Sequence, residues 1–167
     1  FALTIKEIKS ILPVTKIEVL IPDFCGNLDS LTTVVKAAPY ILNHNLETIA
    51  GLYNRIRPQA DYGRSLELLK NVKSINPSLY TKSGIMVGLG EKKEEVIKLM
   101  QDLRRVNCDI ITIGQYLKPS NKQIEISEFI TPDLFAEYRE IGEKLGFRQV
   151  FSAPFVRSSY QAGEINV

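Results

Sequence analysis

Apolar residues along this chain alternate between two spacings. In "TIKEIKSIL" they recur at helical intervals, as Ile5, Ile8, Ile11 and Leu12. They then bunch into the compact run "KIEVLI", which Pro22 ends. The first spacing predicts a helix and the second a strand. The exchange repeats to the end of the chain. "LDSLTTVVKAAP" reads as a helix stopped by Pro39, and "YILNHN" as a second strand followed by a turn region through "RIRPQ". "YGRSLELLKNVKSI" is a helix closed by Asn76 and Pro77, and "SGIMVGL" a third strand. "KKEEVIKLMQDLRRV" carries Val96, Leu99, Met100 and Leu103 on one helical face, and "DIITIGQYL" is a fourth strand. "TPDLFAEYREIGEKLGF" has Thr131 as N-cap, Pro132 at the first position and Gly146 past the end, which are start and stop signals of a helix. "QVFSAP" is the fifth strand.

Strands and helices in strict alternation predict βα units, hence a parallel sheet with helices packed on it. The chain has 167 residues, 44% of them hydrophobic, enough for a single domain over residues 1–167 with its own core. The formal net charge is +2 and no dense Lys/Arg tract exists, so a nucleic-acid partner is not expected. No apolar run reaches transmembrane length, so no membrane association is expected. Cys25 and Cys108 form no CxxC spacing. Both are expected to be small buried hydrophobes in a reducing compartment. The chain opens on Phe1 without a signal or transit peptide, and is expected to be a piece of a longer protein.

The polar and glycine-rich segments fall in phase with the strands. "PDFCGN", "NHNLET", "GLGE", "GQYLKPS" and "VRSSY" follow the first to the fifth in turn. In a barrel-like parallel sheet the loops after the strands build the active site, so five segments are expected to converge on one mouth. Asn45 and Glu47 are two residues apart on an extended stretch, which aims them the same way. An amide beside a carboxylate suits paired hydroxyls such as those of a ribose, and equally suits a polar helix cap. Gly84, Gly88 and Gly90 flank Met86 and lead to Glu91. They allow a flat ligand to approach the backbone, or form a tight turn that places Glu91 near a helix N-terminus. Arg57, Arg64 and Lys82 are rim cations, either for a ligand carboxylate or phosphate or solvated. His44, the one histidine, cannot supply a His-rich metal site and is read as buried and structural. No GxGxxG, HExxH or Ser-His-Asp set is present. A cofactor-free barrel enzyme would need an acid–base pair that the sequence does not show.

Taken in order, "IPDF", "NHNLET", "TKSGIMVGLGE", "CDIITIGQYLKPS" and "VRSSY" resemble the lipoyl synthase family over nearly the whole chain. Biotin synthase relatives carry a similar "NHN" strand and glycine-rich block, whereas "GQYLKPS" followed by "RSSY" resembles lipoyl synthases. The resemblance implies an α/β partial (β/α) barrel of the radical S-adenosylmethionine type, here about five parallel strands with flanking helices and an RSSY tail. It implies an enzyme that inserts two sulfur atoms into a protein-bound octanoyl group, with S-adenosylmethionine and two 4Fe–4S clusters as cofactors. Its partner would be an octanoylated lipoyl carrier domain or a glycine-cleavage carrier protein. The location would be cytoplasmic in a bacterium, and mitochondrial or plastid in a eukaryote.

By the same resemblance, Asn45 and Glu47 match the ribose-binding strand. Ser83, Gly84, Met86, Gly88 and Glu91 match the glycine-rich motif along the adenosine and methionine moieties. Gln115, Tyr116 and Leu117 match the strand end at the adenine, largely through backbone. Arg64 and Lys82 are placed at the ligand carboxylate. A serine of RSSY, Ser159 or alternatively Ser158, would ligate an iron of the auxiliary cluster, with Arg157 positioning the tail. The family's cysteine motifs for both clusters are not among these residues, and Cys25 and Cys108 do not sit at those positions. The chain is therefore expected to be a C-terminal portion, inactive alone. Gln123 stands where the family has histidine, and Ala153 where it has the glycine of "SGP". The alternatives are another radical enzyme such as a biotin synthase relative, and a non-catalytic chain that binds adenosyl ligands.

Overall fold

The computed structural model describes residues 1–160. Five strands, β1 (Glu18–Leu20), β2 (Ile41–Asn43), β3 (Tyr80–Val87), β4 (Ile110–Gln115) and β5 (Gln149–Ser152), form one sheet in the order β1-β2-β3-β4-β5. Every pairing is parallel. The helices are α1 (Ala2–Ile11), α2 (Leu28–Lys36), α3 (Tyr53–Ile56), α4 (Tyr62–Ile75), α5 (Lys93–Arg105) and α6 (Pro132–Lys144). Neighbouring strands are also consecutive in the chain, so the sheet winds in one direction. That is barrel winding; a doubly wound sheet reverses its strand order at a switch point.

Side-chain alternation sorts the two faces. Leu42, Ile85, Val87, Ile111 and Ile113 point to the helical layer and share one core with Leu31, Val35, Leu69, Val72, Leu99, Met100 and Phe135. The residues between them, Asn43, Lys82, Gly84, Thr112 and Gly114, face the other way, onto the inner surface of the partial barrel. Among the described residues, a small apolar cluster, Ile41 and Ile110 with Tyr40, Tyr80 and Phe151, lies apart from the main core.

Sequence patterning and structure agree on every strand and on five of the helices. Strand ends and other details differ. The third strand starts at Tyr80, three residues before "SGIMVGL", because Tyr80–Lys82 pair with β2 as Ile41–Asn43 do with β1. The fourth strand closes at Gln115, two residues short of Leu117. The turn region through "RIRPQ" contains the short helix α3, too brief to carry a periodic signal. Cys108 is buried as expected, but Cys25 is exposed. Cys25 sits in the short 3-10 turn Phe24–Gly26 with a left-handed φ of 52° and has no core to enter.

Helix ends follow their local chemistry. The Thr131 hydroxyl accepts from the Leu134 amide, Pro132 opens α6, and Gly146 follows it at φ 88°. Asp61 and Asn27 cap α4 and α2 in the same manner. Among the described residues, β1 and β5 each have one sheet neighbour, and no helix is long and apolar enough to cross a membrane.

Candidate functional site at the strand ends

Because all five strands are parallel, the five polar segments emerge at one rim. The exit of β2 is its most irregular part. The His44 amide donates to the Lys82 carbonyl, and the Glu47 amide to the Gly84 carbonyl. Three steps on one chain thus match two on its neighbour, which is a bulge. Glu47 takes φ 68° and bridges Ile85. The Leu46 amide, displaced by the bulge, donates to the Ser83 hydroxyl at 3.2 Å, so Ser83 works on the helical side of the sheet.

The bulge sets Asn45 and Glu47 side by side, and the Asn45 amide nitrogen donates to the Glu47 carboxylate at 3.2 Å. The other end of that amide, Asn45 Oδ1, is buried and has no partner among the described residues. It lies against Gly84, where a β-carbon would come within 2.9 Å of Asn45 Oδ1 and 2.7 Å of Thr112 Oγ1. Gly84 therefore keeps open a polar cradle between β2 and β4. Thr112 was not singled out from the sequence. The available signal was its place as the one polar residue in "IITI", facing the same side as Gly114.

The glycine-rich block forms a self-closed turn. Glu91 accepts from the Gly88 and Leu89 amides at 2.6 and 2.9 Å, and so caps the turn ahead of α5. Gly88 has φ 95°, and a β-carbon there would lie 2.2 Å from the Gln115 side-chain nitrogen. Gln115 is buried and fully used: it donates to the Tyr116 and Glu128 carbonyls and accepts from the Ile130 amide, which ties down the loop before α6. Tyr116 is buried, with its hydroxyl on the Ile124 carbonyl, and Leu117 is exposed. Met86 stands half-buried on the inner face beside Gly114.

Two of the three rim cations are engaged. Lys82 is fully buried and bonds Glu18 at 2.9 Å, and Asn43 donates to the other oxygen of the same carboxylate. Arg64 pairs with Asp23 at 2.5 Å. Burial works against ionising Asp23, but the Cys25 amide and the Arg64 guanidinium outweigh it and hold the carboxyl below its ordinary value. Arg57 donates to the Asn45 carbonyl at 3.1 Å and stacks on Tyr53, and no ion pair holds it among the described residues. His44 is buried as expected: its Nδ1 donates to the Ile21 carbonyl and its Nε2 lies 3.1 Å from the Ser65 hydroxyl. Burial lowers its pKa, and the nearby Arg57 charge adds to the effect, so the imidazole is neutral at physiological pH.

The tail returns to the same rim. The Ala153 amide donates to the Ile113 carbonyl, and the Gln115 amide to the Pro154 carbonyl. Residues 157–160 form a turn closed by the Tyr160 amide on the Arg157 carbonyl, with the Tyr160 ring edge-on to Phe151 at 6.2 Å. Ser159 is exposed and Ser158 half-buried. Among the described residues no group of three His, Cys, Asp or Glu side chains could hold a metal ion.

A single-wound parallel sheet with its polar segments on one rim is a partial (β/α) barrel. Methylornithine synthase (PylB) has the same fold, with a TM-score of 0.66 over 92% of this chain and 52% of that one, at 14% identity. In sequence, the chain is similar to lipoyl synthases. It is 59% identical over 162 residues to the lipoyl synthase of Caldanaerobacter subterraneus subsp. tengcongensis, which covers 97% of this chain and 57% of that protein. It is 54% identical over 164 residues to the lipoyl synthase of Alkaliphilus metalliredigens, covering 98% and 57%. The chain thus spans a little over half the length of the curated relatives it matches. No family model matches it.

Proposed function

We propose that these residues form part of a lipoyl synthase, which inserts two sulfur atoms into an octanoyl group held on a carrier protein by radical S-adenosylmethionine chemistry. The observation that carries this reading is the polar cradle over Gly84: a buried amide oxygen of Asn45 without a partner, beside the Glu47 carboxylate, at the rim where all the segments shared with the family meet. An unpaired buried acceptor costs about 1–3 kcal/mol, which a ligand hydroxyl would relieve. The residues present therefore fit an adenosyl ligand.

In this reading Asn45 and Glu47 take the ribose, and Gly84 and Met86 give the ligand a flat approach along β3. The backbone of Gln115, Tyr116 and Leu117 meets the adenine. Gly88 and Glu91 keep the neighbouring turn in shape, and Ser83 holds the bulge. Arg64 and Lys82 keep their carboxylate partners and support the site from the side and from beneath, while Arg57 is the cation left for the ligand carboxylate. The bound S-adenosylmethionine and a 4Fe–4S cluster supply the radical, and a second 4Fe–4S cluster the sulfur. Ser159, or Ser158, of the tail is the cluster ligand that this chain contributes, and Arg157 holds the tail in place. Serine oxygen is a harder and weaker partner for iron than thiolate, which suits a cluster that gives up sulfur. The carrier is a lipoyl domain or glycine-cleavage protein, the setting is the bacterial cytoplasm, and residues 1–167 act as one domain.

The test is an incubation of the full-length protein with S-adenosylmethionine, a reductant and an octanoylated carrier domain, read by mass spectrometry of the carrier. Two sulfur atoms gained per octanoyl group is the expected result. An unmodified carrier, with reductive cleavage of S-adenosylmethionine intact, would overturn the assignment.

A further inference from the structure

Gly114 lies on the inner face of β4, in register with Met86 of β3. A β-carbon at Gly114 would lie 2.1 Å from the carbonyl oxygen of Val156, 3.1 Å from the Val156 carbonyl carbon and 3.1 Å from Arg157 Nη1. Real β-carbons do not approach backbone that closely, so the tail lies directly on the strand where a side chain would otherwise stand. The seat is reinforced from both sides. Arg157 Nη1 donates to the same Val156 oxygen at 2.7 Å, and the Val156 amide donates to the Ala153 carbonyl at 3.1 Å. Val156 itself is buried, whereas Arg157 on one side and Phe155 on the other are exposed. One buried residue on one glycine thus fixes the point from which the RSSY turn starts.

We propose that Gly114 is a positioning residue: its missing side chain seats Val156, and the seat sets the distance between the adenosyl cradle and the serine end of the tail. The proposal rests on the reading of the rim as a lipoyl synthase site. Its distinct content is mechanical. The sheet places Thr112 two residues before Gly114 on the same face, so cradle and seat share one rigid strand. A shift of the tail at Gly114 changes the tail's distance from the cradle without changing the cradle itself. A positioning error of about 1 Å costs on the order of a hundredfold in rate where two reacting groups must meet.

The full-length protein with Gly114→Ala is the primary test, scored by three readouts on one preparation: S-adenosylmethionine affinity, 5′-deoxyadenosine formed, and lipoyl product formed. The expected result is affinity and 5′-deoxyadenosine within twofold of wild type, with product lowered at least tenfold, so that radical formation is uncoupled from sulfur insertion. Arg157→Leu is the second variant. It releases the same carbonyl without adding bulk to the strand, and is expected to uncouple in the same direction by a smaller factor. If Gly114→Ala fails to fold, Arg157→Leu decides alone. Equal loss of 5′-deoxyadenosine and product in the soluble variants would make the seat merely structural, and unchanged coupling would remove it. A wild-type protein that makes no lipoyl product would instead overturn the assignment on which the proposal rests.

Discussion

The ammonium of Lys82 lies 2.9 Å from the carboxylate of Glu18, with the lysine side chain fully buried on the inner face of β3. The Asn43 amide donates to the other Glu18 oxygen at 3.0 Å, so β1, β2 and β3 are tied together beneath the cradle. Removing one partner of such a pair leaves a charge without compensation in a low dielectric. Lys82→Met is expected to cost about 3 kcal/mol of stability. Glu18→Gln in the same background is expected to recover part of it, because the two changes share one interaction. Urea midpoints of the two single variants and the double variant measure this. A Lys82→Met protein of wild-type stability but much weakened S-adenosylmethionine binding would instead assign the lysine to the ligand.

His44 gives a stability that depends on pH. Burial holds its folded-state pKa below the usual 6.5, so the neutral ring is the form the fold accepts. A depressed pKa means that the unfolded chain binds the proton more readily. The contribution is complete above about pH 6.5 and is lost as pH falls toward the folded-state value. Thermal melts of wild type and His44→Gln should therefore converge as pH is lowered from 7.5 to 5, with wild type the more stable at the upper end. Asp23, also depressed but from 3.8, acts below this window. Parallel melting curves at all pH values would contradict the assignment.

Much of this arrangement is legible in the sequence because it depends on local rules. The alternation of Ile41, Leu42 and Asn43 or of Thr112, Ile113 and Gly114 fixes which residues share a face. Thr131, Pro132 and Gly146 mark both ends of α6 by hydrogen bonding and dihedral preference alone. The proximity of Asn45 and Glu47 follows from their spacing, although the bulge that produces it does not. What escapes the sequence is non-local. The partners of Lys82 and Arg64 are 64 and 41 residues away, and nothing in "TKSG" or "YGRS" announces Glu18 or Asp23. The exposure of Cys25 depends on a left-handed turn that its neighbours do not predict. The seat of Val156 on Gly114 appears only when β4 and the tail are folded together.

Thr112 carries the next expectation. Its hydroxyl flanks the cradle opposite Asn45 and makes no hydrogen bond among the described residues, although the residue is 2% exposed. Thr112→Val keeps the shape and removes the hydroxyl. It is expected to leave the melting temperature within a degree or two and to weaken S-adenosylmethionine binding by about 1 kcal/mol, roughly fivefold. Thr112→Ser should restore the affinity. Calorimetric titration of the three full-length proteins checks it, and equal affinities would remove Thr112 from the site.

In this reading, the cradle formed by Asn45, Glu47 and Gly84 takes the adenosyl ligand. The most direct measurement is an S-adenosylmethionine isotherm for the full-length protein beside its Asn45→Ala and Glu47→Gln variants, with folding verified by melting. Loss of one hydrogen bond to a neutral hydroxyl costs about 1 kcal/mol, and of one to a charged group about 1.5–3 kcal/mol. Affinity is therefore expected to fall roughly fivefold for Asn45→Ala and at least tenfold for Glu47→Gln. Wild-type affinity in both folded variants would contradict the account.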